Sequence, residues 1–244
     1  MNAACYPGRD TDECQVYPRT GPLARNLNRS LPELQGVLAT ERGEVYCPVV
    51  ASTSMRSGQL CHSGSGPNWQ GDLITLCTCR WRMRNRAPHY WEDHRWIAGF
   101  TSTSQESGCD AQYLLFLMKV DSAYPSQKAL WNALAPTVRE AKSVEQSPVG
   151  DVYRPRPEGG AQDSHNAYFP PMKGHSHRRE ADDTSWYRDV NDSTGKHRGY
   201  SGAPFLMGDP HFSYLWQHPI ISRPFEYPRS IPRMSLSEML GSLR

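Results

Sequence analysis

At 244 residues, with 37% of positions apolar and 21% charged, the chain has material for one substantial core and lies outside the disordered class. A net charge of +2 excludes a protein held to nucleic acid by overall charge, so any such site has to arise from local clustering. No apolar run approaches the roughly 20 residues that span a bilayer, so no membrane association is expected.

The 19 glycines and 20 prolines imply many turns and long irregular connections, which favours a sheet-based fold over a helical bundle. The N-terminal residues MNAACYPGRDTDECQ are polar and acidic, unlike a secretory signal. The seven cysteines are odd in number and irregularly spaced, so reduced thiols and a cytoplasmic location are expected.

In chain order, residues 1–29 are polar and turn-rich and read as a loosely packed arm. Ser30, Pro32 and Glu33 then mark a helix start, with Leu31, Leu34, Val37 and Leu38 on one face. Residues 43–52 (GEVYCPVVAS) read as the first core strand. Residues 53–71 are small and polar and contain the turn Gly64-Ser65-Gly66-Pro67-Asn68. Residues 72–84 (DLITLCTCRWRMR) alternate as a strand, with Leu73, Thr75, Cys77, Cys79, Trp81 and Met83 on one face. Ile74, Leu76, Thr78, Arg80, Arg82 and Arg84 take the other.

Further strands are predicted over 96–100 and 113–120, the second apolar enough for burial on both sides. A short helix over 126–135 stops at Pro136. Residues 154–200 are rich in Arg, His, Asp, Gly and Pro and read as a long loop insertion. Order returns in the aromatic stretch 203–221. A last helix begins at the capping box Ser235 and Glu238, with Leu236, Met239, Leu240 and Leu243 on one face.

The arginine row carries the clearest chemical signal. On a strand, Arg80, Arg82 and Arg84 would stand about 6.7 Å apart on one face, close to the phosphate spacing of an extended nucleic-acid strand. Arg86 and Arg95 add to the field, although a charged edge strand would look alike. Trp69, Trp81, Tyr90, Trp91 and Trp96 lie within the same segment and offer flat faces for a single-stranded or extruded base, or simply fill the core.

The Gly64–Asn68 turn brings backbone N–H groups and the Asn68 amide to the strand, and Asp72 follows as a general base or a turn cap. Asp151 and His211 are further catalytic candidates, the second crowded by Asp209, Phe212 and Tyr214. Cys61, His62, Cys77 and Cys79 lack zinc-ligand spacing, and the phosphate-loop, dinucleotide and nucleophile-elbow patterns are absent. No metal or cofactor is therefore expected.

Three segments in order, Gly64-x-Gly66-Pro67-Asn68, Leu73 to Arg80 and Trp96-Ile97-Ala98-Gly99, resemble the nucleotide modification associated domains. Tyr113 to Val120, Gly150 to Tyr153 and His211 to Tyr214 resemble that family's later blocks, so the likeness spans roughly residues 43–225. The family commonly carries Asp where this chain has His62. The resemblance implies association with modified DNA bases in bacteria and phages, and is compatible with barrel-like domains that hold a flipped base.

Together these readings give an α+β fold: one compact domain over 30–244 on a mixed, barrel-like sheet with a few helices and long loops. The expected function is recognition of a modified nucleobase in DNA, of use in anti-phage defence. Asn68, Trp69, Trp81 and Trp91 are the base-contacting candidates, and Arg80, Arg82, Arg84 and Arg86 the phosphate-contacting ones. Whether Asp72, Asp151 or His211 also excises the base, as in a DNA glycosylase, stays open at this level. So do a single-stranded RNA reader, an enzyme of free nucleotides and a module unrelated to nucleic acid.

Overall fold

The computed structural model describes residues 14–63, 66–77, 81–142, 152, 154–155, 168–169, 203–223 and 232–244. Its centre is a long strand, β7 (Gln112–Tyr124), flanked by antiparallel β6 (Arg95–Thr101) and β10 (Phe205–Leu215). Beyond β6 lie β1 (Glu44–Tyr46), which runs parallel to it, and then β12 (Arg233–Ser235). Beyond β10 lies the two-residue β5 (Thr75–Leu76), giving the order β12-β1-β6-β7-β10-β5 in a curled mixed half-barrel. Two short strands, β2 (Val49–Val50) and β11 (Ser222–Arg223), extend β6 and β7 at their ends. The architecture is α+β, as composition and patterning imply.

Both faces of the sheet are covered, which is why β7 reads as a continuous apolar run. On one face Ile97, Leu115, Met118 and Leu206 pack with Leu23, Leu60, Trp69, Met83 and Trp91. Leu23 comes from α1 (Gly21–Arg25), Met83 from α3 (Trp81–Arg84) and Trp91 from α4 (Pro88–Glu92). On the other face Trp96, Ala98, Leu114, Leu117 and Tyr214 meet α2 (Leu31–Val37) and α7 (Leu236–Ser242). Each of these two helices opens on its capping box: the Glu33 and Glu238 carboxylates accept the backbone N–H of Ser30 and Ser235 at 2.8 Å. The Leu236, Met239, Leu240 and Leu243 face of α7 is buried, as its periodicity requires.

A third apolar cluster, Cys77, Leu130, Leu134, Val152 and Phe205, lies by the β5 edge under α5 (Gln127–Ala133). Ser126 caps α5 by accepting the N–H of Ala129 at 3.1 Å. Pro136 ends the predicted helix but opens another, α6 (Pro136–Lys142), because the first turn of a helix tolerates proline. The insertion contributes one described strand pair, β8 (Arg154–Pro155) and β9 (Tyr168–Phe169).

Three expectations are corrected. The strand over 72–84 shrinks to β5, because Ile74, Thr75, Leu76 and Cys77 are all buried and residues 81–84 turn helical. The arginine row therefore does not form on a sheet face. The arm is no loose appendage from residue 14 onward: Gln15, Leu23 and Asn26 are buried, and Asn26 donates to the Ser213 carbonyl at 3.0 Å. The thiols are not all reduced. Cys14 and Cys61 form a disulfide with a sequence separation of 47, a loop whose closure is worth about 4 kcal/mol on the chain-entropy account. Cys47, Cys77 and Cys109 are buried and form no disulfide among the described residues.

Gly99 lies where β6 crosses the Phe116 ring. A Cβ there would stand 2.0 Å from a Phe116 ring carbon. Gly99→Ala should cost about 1–3 kcal/mol through overpacking, read as a lower urea midpoint. An unchanged midpoint would show that Phe116 has room to move.

Candidate functional site

The turn that the sequence marks as chemical is built inward. Asn68 is fully buried and bridges to Thr75 by a reciprocal backbone pair, Asn68 N to Thr75 O at 3.0 Å and Thr75 N to Asn68 O at 2.8 Å. The fully buried ammonium of Lys142, at the end of α6, donates to the Asn68 carbonyl at 2.9 Å and the Leu73 carbonyl at 2.7 Å. A buried cation needs such oxygen partners, so Lys142 holds both ends of the 68–75 loop in one place.

The Asn68 carboxamide is oriented by its acceptor side. Its Oδ1 takes the Gln70 N–H at 2.9 Å and faces Lys142 Nζ at 3.4 Å, two donors that fix which way the amide points. The other end, Nδ2, is buried and has no hydrogen-bond partner among the described residues. A buried donor left unpaired costs about 1–3 kcal/mol, which singles this amide out as a candidate contact atom.

A strap from the N-terminal segment closes over the turn. Gln15 donates to the Pro67 carbonyl at 3.2 Å and accepts the Trp69 N–H at 2.7 Å, while its own N–H donates to the His62 carbonyl at 2.8 Å. Trp69 Nε1 donates to the Val16 carbonyl at 2.9 Å, and the Tyr17 and Trp69 rings lie 4.9 Å apart. Tyr17 in turn donates to the carbonyls of Leu60 and Trp216. The Gly66–Pro67 peptide is cis.

The predicted residues separate into groups. Trp69 and Trp91 are core residues: Trp91 is fully buried, lies 5.0 Å from the Tyr46 ring and donates to the Arg84 carbonyl at 3.0 Å. Arg84 is fully buried on α3 and donates to the Pro204 carbonyl, so it is an internal tie between α3 and β10. Trp81 and Arg82 are placed on α3 by their backbone. Arg80 and Asp151 lie outside the described residues.

Asp72 acts as a cap: its Oδ1 accepts the Leu23 N–H of α1 at 2.9 Å. Burial raises its carboxyl pKa, opposed by that hydrogen bond and by Arg25. Gly21 is required beside it, since a Cβ there would meet Asp72 Oδ2 at 1.9 Å. His211 is exposed on a bulge of β10 between Gly208 and Ser213, where Asp209 accepts the His211 N–H at 2.7 Å. Asp72 touches the start of α1, and the His211 carbonyl accepts from Asn26 just past its end, so the helix stands between the two candidates.

Arg86 is exposed and joins a cluster that composition alone does not reveal. The Arg95 guanidinium stacks 4.4 Å from the Tyr90 ring centre, Arg86 lies 6.0 Å from it, and Arg233 lies 5.8 Å from Tyr46. Tyr90 donates to Glu44 at 2.8 Å and exchanges a 2.5 Å hydrogen bond with Tyr46. Burial, then the Tyr46 and Glu44 contacts, push the Tyr90 phenol up to about 12, so it stays a neutral donor at neutral pH. Glu44 lies within 3.8 Å of both Arg95 and Arg233. Three arginines over two phenol rings make a cationic aromatic surface at the starts of β1 and β6.

Sequence reasoning missed Gln15 and Lys142. Neither carries a local signal, because each acts on backbone atoms more than 50 residues away. Among the described residues no group of three His, Cys, Asp or Glu could hold a metal ion, and no helix is long and apolar enough to cross a membrane. No protein-family model, curated protein or solved structure matches the chain.

His62 gives the site a pH dependence. It is fully buried, near Thr53 Oγ1 at 3.2 Å and 5.6 Å from the Trp69 ring. Burial pushes its pKa down to about 4, with the Ser52 and Pro67 carbonyls pulling the other way. The unfolded chain therefore takes up the proton near pH 6.5 and the folded chain only near 4. The stability this site gives is intact above pH 6.5 and falls by about 3 kcal/mol as pH drops through that window. Thermal unfolding at intervals from pH 7 to 4 should show that loss, and His62→Gln should flatten it. Equal slopes for parent and variant would contradict the assignment.

Proposed function

We propose that this protein recognises a modified nucleobase in DNA, with the Asn68 turn reading the base and Arg86, Arg95 and Arg233 contacting phosphates. The observation that carries the reading is the buried Asn68 Nδ2, which has no hydrogen-bond partner among the described residues and is held in orientation by Gln70 and Lys142. A carboxamide donor suits a base carbonyl or ring nitrogen, and a base must leave its stack to reach a donor placed this deep. The order of motifs that resembles the nucleotide modification associated domains supports the same ligand class. Arg86 and Arg233, exposed beside the Tyr90 and Tyr46 rings, can offer guanidinium N–H groups to phosphates, while Arg95 is placed between Glu44 and Asp93.

Recognition without excision is the leading form of the proposal. Asp72, the described carboxylate candidate, spends one oxygen on the Leu23 N–H and packs the other against Gly21. The upward push of burial on its carboxyl pKa keeps the glycosylase form as the second reading, because a raised carboxyl pKa is a feature of general acid–base groups. Anti-phage defence in the cytoplasm is the biological setting that fits either form.

The test is to mix the protein with plain DNA and with DNA containing hydroxymethylated or glucosylated cytosine. Gel retention, alkali-dependent strand breaks and released bases by mass spectrometry are then measured. Selective retention without release is the expected result, and release from modified DNA alone would favour the second reading. Replacing Arg86, Arg95 and Arg233 with alanine should lower the salt slope of binding by about 0.7–0.9 for each phosphate no longer neutralised. Equal indifference to both DNAs would contradict the proposal.

A further inference from the structure

The strap that holds the Asn68 turn is itself fastened by the Cys14–Cys61 disulfide. Gln15, the next residue after Cys14, makes three of the hydrogen bonds that reach His62, Pro67 and Trp69. Cys61 lies next to His62 on β4 (Gln59–His62), which pairs with β3 (Thr53–Arg56). The bond therefore ties the strap to the strand that leads into the turn, and leaves the β6–β7–β10 sheet untouched.

The disulfide is also reachable. Cys14 is half-buried, Cys61 is buried, and both line a cleft of about 700 Å³. Arg19 and Arg56 line the same cleft, and among the described residues no carboxylate does. The Arg19 guanidinium on this wall favours an attacking thiolate and the thiolate that leaves.

We propose that Cys14–Cys61 is a thiol-redox switch that sets whether the Asn68 turn can hold its ligand. This rests on the reading of that turn as the ligand site. The thiolate of a dithiol reductant attacks Cys14 Sγ, the more accessible sulfur, the sulfur–sulfur bond breaks and Cys61 leaves as a thiolate. The second thiol of the reductant then attacks the mixed disulfide, releasing Cys14 as a thiolate and leaving a cyclic disulfide. Two electrons pass to the protein, and solvent protonates the two new thiolates. The strap, no longer fastened at Cys14, gives up the Gln15 contacts, and the Trp69 and Pro67 backbone groups lose their partners. In a reducing compartment a lasting disulfide is uncommon and a switching one is the usual kind.

The test combines hydrogen exchange with binding, on the full chain before and after a dithiol such as dithiothreitol. Reduction should lower amide protection at Trp69, Gln70 and Thr75 while the β6 and β7 amides stay protected. Affinity for the hydroxymethylcytosine oligonucleotide should fall about tenfold if the turn is competent only a tenth of the time. Cys14→Ser should match the reduced protein with or without dithiol. Gln15→Ala should weaken binding with the disulfide intact. Unchanged protection at the turn after reduction would overturn the switch, as would loss of β6 and β7 protection together with it, which would make the bond a global staple. Loss confined to the turn, with no DNA bound in either redox form, would sustain the switch and reject the ligand reading.

Discussion

The ammonium of Lys142 is the contact on which the rest of the site depends. It is buried at the end of α6 and satisfied by carbonyl oxygens of Asn68 and Leu73. Removing a cation from water is expensive, so the carbonyl contacts of Lys142 favour the arrangement that keeps them. In that arrangement Asn68 lies beside Thr75, β5 lies against β10, and the Asn68 amide has one end bound and the other without a partner among the described residues. The strap from Gln15 to Tyr17 then covers the turn from the other side. The candidate site is thus assembled from three distant pieces of chain.

Much of the framework is legible in local pattern. Both capping boxes, the buried β7 and the apolar face of α7 follow from residue spacing that acts within a few positions. The segment 72–84 shows where such reasoning ends. Its alternation is genuine, but a strand also needs a partner, and among the described residues of the segment β10 pairs with Thr75 and Leu76. Residues 81–84 form the short helix α3 instead, and Arg84 turns inward to Pro204. The tryptophans followed the same rule: buried area outweighed availability to a ligand for Trp69 and Trp91.

The candidate site was legible only in part. Asn68 stands out in its turn, yet what makes it chemically unusual is a buried Nδ2 with no partner among the described residues, which no pattern of residues records. Asp72 was open between base and cap, and its bond to the Leu23 N–H places it as a cap of α1. Arg86 and Arg95 were visible as charge, but Tyr90, Tyr46 and Glu44 organise them into a surface with Arg233 from the far end of the chain. The cysteine count misled, because an odd number at irregular spacing says nothing about which two thiols meet in space.

If the protein reads a base as proposed, the Asn68 amide hydrogens are donated to that base. Nitrogen-15 NMR of the side-chain amide, followed during titration with an oligonucleotide carrying one hydroxymethylcytosine, tests this most directly. The Asn68 Nδ2 resonances should move and gain protection from exchange, while an unmodified oligonucleotide should leave them in place. Binding that shifts Arg86, Arg95 and Arg233 but leaves the Asn68 amide unmoved would contradict it.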